Sequence, residues 1–206
     1  NMINLNKIYS IILATVFCST LSTQSFTAIG TVNPAKYIPE QKMIAFGSNG
    51  MVTTQHYLAT KVGEDILNQG GNAYDAAIAI SFTLAVVLPR AGNIGGGGFM
   101  VLHDIKSKKN YAIDYREKAP LLSTTDMYLD ENGTVIPNKS TLGYLSSGVP
   151  GTVAGMWAVH QKFGSMEWEK LLRPAIKLAS DGFEISPYMS DMLIKYNAKL
   201  SVFEET

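Results

Sequence analysis

Apolar positions along the chain recur with two periods, and each period marks a different kind of element. From Tyr57 to Gln69, Leu58, Val62 and Ile66 repeat every four residues, which predicts a helix, with Gly70-Gly71 supplying a left-handed stop. Asn72 is placed to cap the next helix, and Asp75 falls in its first turn, where a negative charge suits the helix dipole. Ala76–Leu88 is almost continuously apolar and is closed by Pro89. Such a run is short for a bilayer and predicts a helix buried on all sides. Phe99–His103 and Tyr111–Tyr115 then read as strands around a Lys-rich turn at Lys106–Asn110. Met43–Thr53 reads as a further short strand, broken by Gly47 and Gly50. Leu121–Ser147 is irregular, with a turn at Asp130-Glu131-Asn132-Gly133. Helical spacing returns in Thr152–Phe163, stopped by Gly164, and in Glu167–Leu172. Pro174 should interrupt that second helix and start a fresh one running to Ala179 or Ser180. Ser186-Pro187, a cap followed by a proline at the first helical position, opens another helix.

The first thirty residues follow a different pattern. Lys7 gives a thin positive start, Ile8–Phe17 is an apolar core of secretory length, and a Ser/Thr-rich stretch follows. Residues 1–30 therefore read as a signal peptide, removed somewhere between Ser22 and Asn33. The other reading is a buried helix, which the polar, acid-free flank disfavours. Residues 31–42, polar and carrying Pro34 and Pro39, read as an extended linker. The remainder, 43–206, forms the folded part. The chain is expected to continue past Thr206, because Ser201–Thr206 carries no stop signal.

Composition narrows the class of partner. The 206 residues are 46% hydrophobic and 17% charged, with 17 Lys+Arg against 17 Asp+Glu. That balance is globular, and nothing in it argues for nucleic acid. The one cysteine, Cys18, lies inside the signal, so the mature part offers no disulfide, thiol nucleophile or cysteine metal ligand.

Two features invite chemistry. Gly95–Gly98 is a run of four glycines, and such a run gives up much backbone entropy on folding. A phosphate cradle needs strand, glycine loop and helix in that order, because the helix N-terminus supplies the free N–H groups. Here a buried helix precedes the loop and a strand follows it, and no dinucleotide or P-loop pattern can be threaded through. Close backbone packing is the better reading, with the loop available as a pocket wall. The second feature is Arg116 in Asp114-Tyr115-Arg116-Glu117. On a strand Asp114 and Arg116 share a face, so the pair reads either as a structural ion pair or as a guanidinium ready for a substrate carboxylate. His56, His103 and His160 have neither metal spacing nor a nucleophile pattern and read as surface or satisfied histidines. Thr53 and Thr54 beside His56 read as strand-end threonines.

Four segments, "GGNAYDAAIAISFTLAVVLPRAGNIGGGGFM", "AIDYREKAP", "GVPGTVAGMWAVHQKFG" and "RPAIKLASDGFEIS", carry a resemblance. In order and spacing, from about Gly50 to Ser186, they resemble the large-subunit half of bacterial gamma-glutamyltranspeptidases, the glutathione hydrolases. The resemblance implies an α+β fold of the N-terminal-nucleophile hydrolase type, an αββα layered sandwich that would be incomplete in this chain. It implies a precursor that cleaves itself, and an N-terminal threonine of the small subunit that attacks gamma-glutamyl amides, with its own amine or a water as base. It implies gamma-glutamyl compounds such as glutathione as donors, amino acids, peptides or water as acceptors, and the small subunit as partner. No metal or organic cofactor is implied, and the location would be periplasmic or secreted. Within the motif D-[FY]-R-E it assigns Arg116 to the α-carboxylate of the gamma-glutamyl group. It places the nucleophile and the processing motif beyond Thr206, leaving no catalytic residue in this chain. Close alternatives are a hydrolase of gamma-linked polyglutamate or a cephalosporin acylase on the same scaffold, and a non-catalytic remnant is the other.

Overall fold

A computed structural model describes residues 46–91 and 93–202. The signal and linker segments, with the first residues of the Met43–Thr53 strand candidate, lie outside the described residues, as does Gly92. The elements in chain order are α1 (Tyr57–Asn68), α2 (Ala73–Val87), β1 (Phe99–Asp104), β2 (Lys109–Asp114), a 3-10 turn (Tyr144–Ser146), α3 (Thr152–Phe163), α4 (Trp168–Asp181) and α5 (Pro187–Leu200).

Caps fix the junction between the first two helices. Gly71 N–H donates to the Ile66 carbonyl and Gly70 N–H to that of Leu67, both at 3.0 Å, and Gly70 takes φ +90°. This is the paired-bond C-terminal motif that favours a glycine at its left-handed position. Two residues later the Asn72 side chain accepts from the N–H groups of Tyr74 and Asp75, both at 2.9 Å. The Asp75 carboxylate accepts in return from Asn72 N–H, completing a reciprocal cap. α2 behaves as its continuous apolar run predicts: no residue from Tyr74 to Leu88 is exposed. At 15 residues it is about 22 Å long, well short of a hydrocarbon core. Among the described residues no helix is long and apolar enough to cross a membrane.

β1 and β2 form an antiparallel hairpin, with Phe99 opposite Asp114 and Asp104 opposite Lys109. Its inner face, Met100, Ile113 and their neighbours, packs against the helical core. That core joins Ile66 of α1, Ile78 and Phe82 of α2, Met156 and Val159 of α3, and Leu171 of α4. Trp168 meets Phe82 and Trp157 edge-on, at 5.5 and 5.1 Å between ring centres.

Three expectations about the elements differ from the structure. Residues 46–53 form no strand; Gly47 and Gly50 interrupt the run, and no described strand pairs with it. Pro174 does not divide its helix, since α4 runs unbroken from Trp168 to Asp181. The proline removes one N–H bond to Lys170, but Leu171 and Ala175, one turn apart on the same face, are both buried and hold the helix together. The second strand ends at Asp114, so Arg116 stands beyond the ladder rather than on it.

Residues 186–201 form a unit apart from 44–185. In it the Ser186 hydroxyl accepts from Met189 N–H at 3.1 Å and Pro187 occupies the first turn of α5.

Candidate functional site

Arg116 lies where the hairpin gives way to loop. Beyond the last ladder pair, Tyr115 N–H donates to the Gly98 carbonyl at 3.0 Å and Gly98 N–H to that of Tyr115 at 3.4 Å. Three residues after Tyr115, Lys118 and Val149 exchange backbone hydrogen bonds of 3.1 and 2.8 Å. The segment from Tyr115 to Lys118 is thus fixed at both ends, by the glycine loop and by the residues leading into α3.

The glycine loop is itself anchored. Asn93 accepts from Gly95 N–H through its side chain at 2.7 Å and from Gly96 N–H through its carbonyl at 3.2 Å. The Gly96 carbonyl receives the N–H groups of Gly151 and Thr152, at 2.9 and 3.1 Å, and the Thr152 hydroxyl donates to the Asn93 carbonyl at 3.0 Å. These bonds satisfy orphan donors at the start of α3, which has no side-chain cap. Close packing is the role of Gly97: a Cβ there would stand 2.5 Å from the Tyr115 carbonyl oxygen and 2.8 Å from Arg116 Cα. At Gly96 the nearest atom would be 3.4 Å away, an ordinary contact. The packing reading therefore holds for part of the run and not for all of it.

Of the two readings of Arg116, the structural ion pair with Asp114 is not formed. The Asp114 carboxylate instead accepts from Arg116 backbone N–H at 3.0 Å. The guanidinium turns to Glu117, with Nε 3.6 Å from Oε2, and its Cζ lies 5.9 Å from the centre of the Phe99 ring. The Arg116 side chain is 62% exposed. A largely exposed guanidinium of this kind can grip a carboxylate through two parallel hydrogen bonds. Its backbone, by contrast, is held by Tyr115, whose phenol is pushed up from its ordinary pKa by burial.

The other candidates resolve into structural roles. His56 Nδ1 caps α1 by accepting from Leu58 N–H at 3.3 Å, and burial lowers its pKa. Thr54 is no strand end: its hydroxyl donates to the His56 carbonyl at 2.7 Å and contacts the Thr60 hydroxyl at 2.9 Å, organising the entry to α1. His103 pairs with Asn110 across the hairpin at 2.7 Å, and His160 Nε2 lies 2.8 Å from the Met166 carbonyl. Among the described residues no three His, Cys, Asp or Glu side chains cluster as a metal site. A concavity of about 830 Å³ between the hairpin and the helices, bordered by Tyr74, Tyr111 and Lys162, does not include Arg116. Sequence reasoning did not give Asn93, Thr152 or Gly151 a part in the site. The only available signal was the glycine spacing in "GVPGTVAG", which puts Gly151 and Gly155 on one helix face.

Comparison with known proteins identifies the family. A profile of the family described as Gamma-glutamyltranspeptidase matches residues 59–206. The chain is 47% identical over 173 residues to a glutathione hydrolase proenzyme of Pseudomonas sp. (strain A14), covering 84% of this chain and 29% of that protein. It is 45% identical over 170 residues to a glutathione hydrolase proenzyme of Bacillus subtilis (strain 168), covering 82% and 29%. Among solved structures it resembles the gamma-glutamyltranspeptidase of Helicobacter pylori, with a TM-score of 0.75 and 47% identity over 79% of this chain and 46% of the other. The chain thus spans less than a third of the length of these two curated relatives.

Proposed function

Because the chain belongs to the gamma-glutamyltranspeptidase family, we propose that it supplies the donor-carboxylate anchor of an exported enzyme that cleaves gamma-glutamyl amides. The chain is the N-terminal part of the large subunit. An N-terminal threonine generated by self-cleavage, further along the precursor, attacks the gamma-carbonyl. The gamma-glutamyl group then passes to water or to an acceptor amine. Glutathione is the natural donor class, as the relatives' names suggest. The hairpin belongs to one sheet of a layered sandwich, a reading supported by its outer face, where Phe99 and Val101 are 65% and 82% exposed.

The observation that carries the proposal is the contrast at Arg116: a backbone fixed at Tyr115 and at Lys118, and a guanidinium left largely exposed. The α-carboxylate of a gamma-glutamyl donor is chemically remote from the scissile bond. Holding it orients the gamma-carbonyl without touching the reacting atoms. A charge-assisted hydrogen bond of this kind is worth about 2–3 kcal/mol. In the complete processed protein, Arg116→Ala should lower kcat/KM for gamma-glutamyl-p-nitroanilide by about thirty- to 150-fold. On a donor whose α-carboxylate is amidated, most of that deficit should vanish. An equal deficit on both donors would make Arg116 a structural residue.

A further inference from the structure

The guanidinium's position is set one residue earlier. We infer that Gly151 and Gly155, at the start of α3, are positioning residues for Arg116: they form a notch without side chains that seats Tyr115. The inference rests on the reading of Arg116 as the carboxylate anchor. A Cβ on Gly155 would lie 2.5 Å from both Cβ and Cγ of Tyr115. A Cβ on Gly151 would fall on the Tyr115 carbonyl oxygen and within 3.0 Å of the Arg116 carbonyl oxygen. From the glycine loop, a Cβ on Gly97 would meet the same carbonyl, and one on Gly98 the tip of the Tyr115 ring, at 3.1–3.2 Å.

The atoms that would be struck decide the consequence. A methyl that meets the far end of a side chain can be accommodated by rotation about its χ angles. A methyl on Gly155 meets Tyr115 Cβ as closely as Cγ, and one on Gly151 meets the Tyr115 carbonyl; neither Cβ nor the carbonyl moves without the backbone. The backbone of Tyr115 is peptide-bonded to Arg116, and the bridge between Lys118 and Val149 stops the displacement from relaxing along the chain. The shift therefore passes to Arg116 Cα and is lengthened along its side chain. α3 also pins the glycine loop through Gly96 and Asn93, so one helix start aligns both walls of the slot. Displacements near 1 Å in a group that orients a substrate cost up to about a hundred-fold.

The test uses the complete processed protein and two probes, gamma-glutamyl-p-nitroanilide and its α-carboxamide. Gly155→Ala should raise KM for the free-carboxylate donor by about ten-fold or more, while the carboxamide donor is handled as by the unmodified protein. Tyr115→Leu, which empties the notch rather than overfilling it, should produce the same donor-selective rise and carries the test if Gly155→Ala does not mature. Gly71→Ala serves as the comparison. Its Cβ would press on the Ile66 carbonyl and the Met166 sulfur, away from Tyr115, so any loss should be equal on both donors. If Gly155→Ala and Tyr115→Leu resemble Gly71→Ala while Arg116→Ala remains donor-selective, the notch does not position Arg116 and the inference falls alone. If Arg116→Ala also fails to discriminate between the donors, the carboxylate reading and the notch fall together.

Discussion

Asp75 shows how one buried carboxylate can serve a fold without serving its chemistry. It is fully buried, yet among the described residues no cation pairs with it. Its oxygens accept from Asn72 N–H at 2.9 Å, from Ser165 N–H at 3.0 Å, from the Ser165 hydroxyl, and at 3.4 Å from Met166 N–H. Burial pushes its pKa up, but these donors outweigh burial and hold it below the ordinary carboxylate value. A group with a lowered folded pKa stabilises above its unfolded value, near 3.9, and loses that stabilisation as pH falls toward the folded value. Asp75→Asn should therefore destabilise at neutral pH by about 2–3 kcal/mol, because the amide cannot accept from every donor around it. The gap from the unmodified protein should narrow as pH drops below about 4, measured by denaturant melts across a pH series. A constant gap would mean the carboxylate charge is irrelevant. Arg116 tests the opposite case, a charge needed for its shape: Arg116→Lys should recover only part of the donor selectivity lost in Arg116→Ala, because an ammonium offers no two-pronged grip.

Among the secondary elements, what the sequence makes legible is mostly what neighbouring residues decide. Asn72, Ser186 and Gly70-Gly71 act on groups within a few positions, so the helix boundaries they imply match the structure closely. Pro174 misleads because the burial of Leu171 and Ala175 that outweighs it is tertiary. The same limit hides most of the site. Arg116 stands out by motif, whereas its seat depends on contacts from Gly97 and from Gly151 and Gly155, some twenty to forty residues away in sequence. Such contacts leave no local period to read. The glycine run illustrates the difference, and its members should respond unequally. Gly97→Ala drives a methyl into the Tyr115–Arg116 backbone and should cost about 1–3 kcal/mol. Gly96→Ala makes only an ordinary contact and should be nearly neutral. Thermal melts of the two variants decide the matter, and equal melting temperatures would remove close packing as the reason for the run.

Across residues 44–185, the helices bury the inner face of the hairpin and leave its outer face to solvent. Phe99 and Val101 lie on that face, and Leu121 and Leu122 in the following loop are almost completely exposed as well. A two-stranded sheet is marginal by itself, and β1 and β2 are each paired on one side only among the described residues. The chain spans 29% of its two compared curated relatives, and in the layered arrangement proposed above the rest of the precursor supplies the missing cover. The 206-residue chain produced alone should then bind a hydrophobic dye such as ANS and melt broadly. The complete precursor should bind little dye and melt in a sharp transition. Replacing Val101 and Leu122 by threonine should reduce dye binding by the isolated chain, because apolar area in water is what the dye reads. The same pair of replacements should destabilise the complete precursor, where the two side chains become buried, by about 1–3 kcal/mol each. A sharp, dye-free melt of the isolated chain would show that its apolar face is already covered, and the layered arrangement would have to be abandoned for this chain.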